Sequence, residues 1–555
     1  MKGRKKLLAA LLAAAMTVSM VAGCGSTGTA DTADTAAPAA SAEAVDESAV
    51  AEAELSGDTT AQKPEGLSDE VITVALQAEP NSLVPDVVFL GNYIAAVVRL
   101  MYEPLVIQDY KTMTFTDSGL VTAIDLVDDT HISLTLREGV KFQSGKEFTA
   151  DDVLYQFQQG VRGVHAGDYY SVWDVDNTEV VDDYHITLAL KTPWAQAQNI
   201  LGFNTCLAVD KDIFEAAGGA DVTAQYLENA GTGKYKFKEW VPGQYIELER
   251  NEDYWDQDNK GYFAGYKFVF INDSSARAMS VQSGDADVAL DCAISDYSVY
   301  DADPNVQAVL NDNGMVSTIF LNSTGDRPFK DEKVREAVYW LIDANALLQV
   351  ANSGLGQVAD TTISPVCPMW DGISENATKT VDVEKAKQLL AEAGYADGVS
   401  VTCRATSTTA ELTMIQEQLR AGGIEMNIEM AEMPVHFQAL GTGDYDMYVS
   451  SQQCAYYSEA VRTTDGLDYS FADVLGGCGY QDEEYSELCQ KALTTYDETE
   501  RKAAYAEVQK YFREHHVSVT TYTNVGLTVA RPDLQGFALY GVGVQDMSNL
   551  YSTGN

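Results

Sequence analysis

"ISLTLREGVKFQSGKEFTADDVLYQF", Ile132 to Phe157, contains the change of period on which the fold class turns. In Ile132–Leu136 apolar residues occupy every second position, as in a strand with one buried face. Thr149 then caps a run in which Val153, Leu154 and Phe157 recur at helical spacing, and Asp152 stands where a capping box takes an acid. The same alternation continues along the chain. Strands are expected at Val71–Leu76, His185–Leu190, Tyr245–Leu248, Tyr266–Ile271, Ser317–Leu321 and Val517–Tyr522. Asp331 opens a helix with Val334, Ala337, Val338, Leu341 and Ile342 on one face. "DVEKAKQLLAEAGY" has Asp382 as its N-cap, Ala386, Leu389 and Leu390 inward, and Gly394 as its stop. The fold class is α/β, with no repeat and no internal linker.

The N-terminal region is of another kind. Lys2, Arg4, Lys5 and Lys6 precede an apolar or small run, Leu7–Ala22, of secretory-leader length and too short to span a bilayer. Gly25–Gly66 is dominated by Ala, Thr, Ser, Asp and Glu and cannot bury enough apolar surface to offset ordering entropy. Val21-Ala22-Gly23-Cys24 resembles the bacterial lipoprotein box, in which the cysteine is acylated and becomes the new N-terminus, with Val21 in place of the usual Leu. The resemblance implies a signal peptide over 1–23, lipidation at Cys24 and an acidic tether over 24–66.

Residues 67–555 are too many for one core and imply two or three domains. The net charge of −47 argues against nucleic acid, which needs a basic stripe. Besides Cys24, the cysteines are Cys206, Cys292, Cys367, Cys403, Cys454, Cys478 and Cys489; they form no CxxC and read mostly as buried small hydrophobes, with any disulfide left unassigned.

Catalytic and metal motifs fail on inspection. Gly231-Thr232-Gly233-Lys234 imitates a phosphate loop, but Glu228 stands where the first glycine belongs and Tyr235 where magnesium needs a hydroxyl. Asp256–Gly261 imitates the start of a calcium loop, but Lys260 replaces an oxygen ligand and Lys267 the bidentate Glu. The histidines form no HExxH, the rings of His515 and His516 point in different directions, and no G-x-S-x-G occurs. No metal, cofactor or catalytic residue is expected. Thirty tyrosines against seventeen phenylalanines suit ligand clefts, although most are expected at packing positions, with Tyr456, Tyr457 and Tyr522 set apart as site candidates.

Taken in order, several segments resemble the extracytoplasmic solute-binding proteins of ABC importers, in the family 5 branch that binds oligopeptides, dipeptides and nickel chelates. The carrying segments are Ile132–Phe157, "GTGKYKFKEW" (Gly231–Trp240), "LERNEDYWDQ" (Leu248–Gln257), "QSGDADVAL" (Gln282–Leu290), "IFLNSTGDRPFKDEKVREAVYWLID" (Ile319–Asp343), Asp382–Gly398 and "GDYDMYVSS" (Gly443–Ser451). On this resemblance GTGKYKF is a structural turn before a strand. The resemblance implies a two-lobed periplasmic-binding-protein-like fold (type II, cluster C) with an extra domain inserted in the N-terminal lobe. Lobe I takes 67–106, 229–314 and 521–555, the inserted domain 107–228, and lobe II 315–520. It also implies a monomeric receptor, not an enzyme, anchored on the outer face of a single-membrane bacterium. The receptor binds a small solute between its lobes and delivers it to ABC permease and ATPase subunits.

Cleft-lining positions carry over as Phe89, Leu90 and Gly91, as Leu290, Asp291 and Cys292, and as Gln452, Gln453, Tyr456, Tyr457 and Tyr522. Peptide-binding members place an Asp shortly after the "DYDM" motif to receive the ligand's α-amino group, where this chain has Ala455 or Tyr456. A buried ammonium without a carboxylate is costly, so a peptide ligand requires Asp291 or Glu459 as substitute. An oligosaccharide or other non-peptide solute is the alternative. A surface sensor or adhesin and a lipid-anchored hydrolase are the rivals from other classes.

Overall fold

The structure, a computed structural model, describes residues 64–85, 92–108, 115–160, 170, 172–202, 206–453, 478–540 and 544–554. Cys24 and the leader, tether and anchor expectations lie outside the described residues, as do Phe89, Leu90, Gly91, Tyr456, Tyr457 and Glu459.

Among the described residues ten strands join in one mixed sheet that has two parallel cores. In the first, Val71–Leu76 runs parallel to both Gly265–Phe270 and Val288–Cys292. The antiparallel strands Tyr245–Arg250 and Tyr235–Val241 extend it outward. In the second, Val399–Ala405 runs parallel to both Ile424–Met430 and Met447–Gln453. Two long antiparallel strands, Gln307–Leu321 and Val519–Ala530, belong to both halves. Val519–Ala530 pairs with Val288–Cys292 through residues 527–530, and Gln307–Leu321 pairs with Met447–Gln453 through residues 315–321. Separate cores pack on each half: one around Val74, Leu76, Tyr235 and Phe268, the other around Ile319, Val338, Leu341 and Val401.

The expected caps form. Asp331 accepts the Lys333 amide at the head of helix Glu332–Leu341, and Asp382 accepts the Lys385 amide at the head of helix Val383–Glu392. Gly394 ends the latter at φ +92°. A four-stranded antiparallel sheet, in the order Val121–Asp128, His131–Leu136, His185–Ala189, Glu179–Asp182, carries helix Ala150–Gly160 and a core of its own. At that helix Asp152 Oδ2 accepts both the Thr149 amide and the Thr149 hydroxyl, so the acid half of the capping box forms and the threonine donates. Buried Asp152 and Asp210 share Lys146 at 2.8 and 3.3 Å, which ties this sheet to the Lys211–Ala216 helix.

The GTGKYKF turn sits where helix Asn92–Met101 ends. The Gly233 amide donates to Met101 O (2.9 Å), and a Cβ at Gly231 or Gly233 would collide with the carbonyls of Met101 and Leu100. The loop receives carbonyl oxygens, so its glycines serve close backbone approach. Among the described residues no disulfide joins Cys206, Cys292, Cys367, Cys403, Cys478 and Cys489, and all but Cys367 are buried. His515 stacks on Tyr511 and His516 on Tyr339.

Candidate functional site: the cleft over the crossing strands

In open α/β sheets ligands bind beyond the carboxyl ends of the parallel strands. The register shows where those ends meet. Cys292 stands opposite Leu527 and Gln453 opposite Met315, so the carboxyl ends of both parallel cores run toward the middle of the crossing strands. There the pairing of the crossing strands slips, from Asp312 opposite Val525 to Val316 opposite Thr523. The second crossing strand is buried along its length except at Asn524, Val525 and Gly526. Ser450, Ser451, Met315 and Asp291 are likewise partly open. These residues are the candidate floor of a cleft between the halves.

Asp291 is the charged group of that floor on the first-lobe side. Its φ of +51° is the left-handed conformation that a non-glycine residue adopts only when held. The holder is Arg277, 2% exposed on helix Ser274–Gln282. Its Nε donates to Leu290 O (2.7 Å), Nη1 to Ile271 O (2.6 Å) and Asn272 O (3.0 Å), and Nη2 to Asp291 O. The ladder bulges between Ala289 and Cys292, which puts those two side chains in one core and Leu290 in another. A bulge of this kind re-aims the extra residue. The Asp291 carboxylate has no ion-pair partner among the described residues. Burial raises its pKa, and the Arg277 charge opposes that rise. The pKa of Tyr93, at the start of helix Asn92–Met101, is raised by burial and next by the Asp291 charge.

Leu290 and Cys292, expected along the lining, keep their side chains in the cores. Burial pushes the Cys292 thiol up to about 12, so it stays protonated. Tyr522, expected at the cleft wall, is 2% exposed in the second-lobe core. It stands opposite Ser317, and its hydroxyl is bonded to Glu411, which raises its pKa after burial does. Ser317 Oγ donates to Glu411 Oε1 at 2.9 Å. Tyr522 therefore anchors the first turn of helix Ala410–Gly422 from below. Gln452 and Gln453 pair with Val316 and Met315 at the cleft end of their strand. The sequence reading missed Asn524, whose Nδ2 donates to Ser451 Oγ at 2.5 Å and spans the first crossing strand. An Asn beside a Gly in a strand otherwise rich in Thr and Val was the only signal for it.

Two parallel cores, two shared strands and a floor at their carboxyl ends define the two-lobed binding-protein fold. The sequence model of the bacterial extracellular solute-binding proteins, family 5, matches residues 118–468. The oligopeptide-binding protein AppA of Bacillus subtilis (strain 168) is 25% identical over 474 residues, covering 77% of this chain and 83% of its own. Among solved structures, Helicobacter pylori DppA in complex with the peptide STSA superposes with a TM-score of 0.75 at 24% identity, covering 88% of this chain and 99% of that one. NikA from Brucella suis in complex with Fe(III)-EDTA gives 0.75 at 20% identity, covering 87% and 100%. The chain belongs to family 5 of the bacterial extracellular solute-binding proteins, receptors of ABC importers that bind and do not catalyse. Among the described residues no helix is long and apolar enough to cross a membrane.

Proposed function

We propose that this chain is a lipid-anchored importer receptor that captures a short peptide in the interlobe cleft, with Asp291 receiving the α-amino group. The observation that carries this reading is the Asp291 carboxylate, desolvated, in a left-handed backbone and without an ion-pair partner among the described residues. Such a group is stabilised by an incoming ammonium, whose arrival lowers the carboxylate's pKa again. The relatives named for oligopeptide binding and the peptide-bound structure support the same ligand class. The lobes meet at the register slip of the crossing strands, and closure turns about 312–316 and 523–525. Cys24 carries the acyl chains, and the acidic tether lets the monomer reach its permease and ATPase partners.

A second reading, a neutral polar solute, is favoured by the uncharged side of the floor, Ser450, Ser451 and Asn524. Calorimetry with the solute identified by mass spectrometry of the purified protein separates the two. Under the peptide reading, Asp291→Asn and N-acetylation of the peptide each cost several hundred-fold in affinity, about 3–5 kcal/mol for a buried charge left unpaired. Unchanged affinity of Asp291→Asn for a free-amine peptide refutes the role of Asp291.

A further inference from the structure

Among the described residues, one carboxylate of the second lobe stands toward the cleft without a cation: Glu411. It lies in the first turn of helix Ala410–Gly422, which follows the carboxyl end of strand Val399–Ala405. In open α/β sheets that end of a parallel strand is the ligand side. Glu411 is partly open, whereas the two side chains beneath it, Ser317 and Tyr522, are each 2% exposed. Both donate a hydroxyl hydrogen to it, Ser317 Oγ to Oε1 at 2.9 Å and Tyr522 through its phenol. A carboxylate has about four acceptor sites, so two neutral donors leave room for more and leave the charge unmatched.

The register puts Glu411 with the candidate floor. Ser317 stands opposite Tyr522 on one side and opposite Ser451 on the other. Asn524 lies two residues beyond Tyr522 and donates to Ser451 Oγ. Side chains two apart on a strand share a face, so Glu411 sits on the face that carries Ser451 and Asn524. None of the candidate floor residues is cationic. Arg277 is taken up by backbone carbonyls. Arg404, near the end of the strand that leads to Glu411, pairs instead with Glu429 (2.6 Å) and Asp444 (2.7 Å).

Each lobe therefore brings one carboxylate, and their spacing limits what can bridge them. Asp291 adjoins Cys292, which stands opposite Leu527, five residues from Tyr522 on the second crossing strand. At ~3.3 Å per residue the two carboxylates are roughly 15 Å apart. A carboxylate bonded only to hydroxyls gains a stronger, charge-assisted bond from an ammonium. The α- and ε-nitrogens of one lysine are at most roughly 7 Å apart, and each further residue of extended chain adds about 3.4 Å. With the α-amino group on Asp291, a lysine at the third or fourth residue spans the gap and a lysine at the first does not. We propose that Glu411 is a specificity contact of the second lobe that receives the basic side chain at the third or fourth residue of a peptide, so that the receptor selects basic peptides. This inference rests on the reading that Asp291 takes the α-amino group.

The full-length protein, stripped of carried-over ligand, is titrated by calorimetry with tetrapeptides of three alanines and one lysine. The lysine is moved through the four positions, with norleucine in its place as the uncharged control. At the third or fourth position lysine binds about tenfold or more tighter than norleucine, as expected for one charge-assisted bond, and at the first it has no such advantage. Acetylating the lysine ε-amine removes the advantage in the wild type itself. In Glu411→Gln, which keeps an oxygen for Ser317 and Tyr522, the ratio of lysine to norleucine affinity falls to about one. Asp291→Asn weakens every peptide and leaves that ratio standing, and circular dichroism shows both variants folded. Peptides that bind through Asp291 with no lysine advantage at the third or fourth position overturn this inference alone. So does an equal advantage at the first position, or one that survives in Glu411→Gln or after acetylation. If no peptide binds, the peptide reading falls and this inference falls with it.

Discussion

Replacing Arg277 by Met removes the guanidinium and keeps a stem of similar length beneath the strand that ends in Asp291. Four bonds to backbone carbonyls are lost. The bond to Leu290 O is buried and those to Ile271, Asn272 and Asp291 are partly buried, so water can restore the latter three in part. A bond from a charged donor contributes about 1.5–3 kcal/mol. Counting the buried one at about 2 and the others at roughly 0.5–1 each, the expected loss is about 4 kcal/mol. Removing a desolvated charge offsets a fraction of it. Urea unfolding followed by tryptophan fluorescence should show a lower midpoint, with unchanged slope, for the transition of the first lobe. Arg277→Lys should fall between, because a point charge cannot satisfy a planar array of carbonyls. If Asp291 receives the solute as proposed, affinity should fall as well, since Nη2 holds that left-handed residue in place. A loss below about 1 kcal/mol, or a lysine variant as stable as the wild type, would refute the clamp.

Gly231→Ala should cost about 3 kcal/mol or more in thermal or urea unfolding, because its Cβ meets the Met101 carbonyl and backbone must shift on one side; a neutral effect would show that the turn yields. Burial raises Asp360 to about 6, above its usual 3.8. The folded state therefore holds a proton that the unfolded state releases, and this group's contribution to stability declines as pH rises from about 4 to 6. Asp360→Asn should gain stability relative to the wild type across that window, read from paired melts at each pH. Cys24→Ala should leave the protein unprocessed or release it to the medium, as read by membrane fractionation and intact mass.

Helix starts at Asp331 and Asp382, the stop at Gly394 and the period change at Ile132–Phe157 were legible because each rests on neighbours within a turn of chain. So was the structural use of GTGKYKF, although the carbonyls that demand its glycines come from Leu100 and Met101, far upstream. The crossing strands were legible only in pieces. Ser317–Leu321 and Val517–Tyr522 are the apolar ends of strands that run from Gln307 and on to Ala530. Asn311–Gly314 reads as a turn by composition, and it stays extended because Val519–Ala530 pairs on both sides of the slip.

The amino-acid sequence by itself determined the α/β class, the family, the helix caps and the candidacy of Asp291. Which side chains are packed in the cores and which are left partly open was decided by the tertiary structure. Tyr522 went to the core because its pairing with Ser317 turns it toward Glu411, and Asp291 turned out of the ladder because Arg277 holds a bulge open beneath it. Periodicity and capping are energies of near neighbours and can be read locally. The face a strand residue presents depends on register, and register is set by partners distant in sequence.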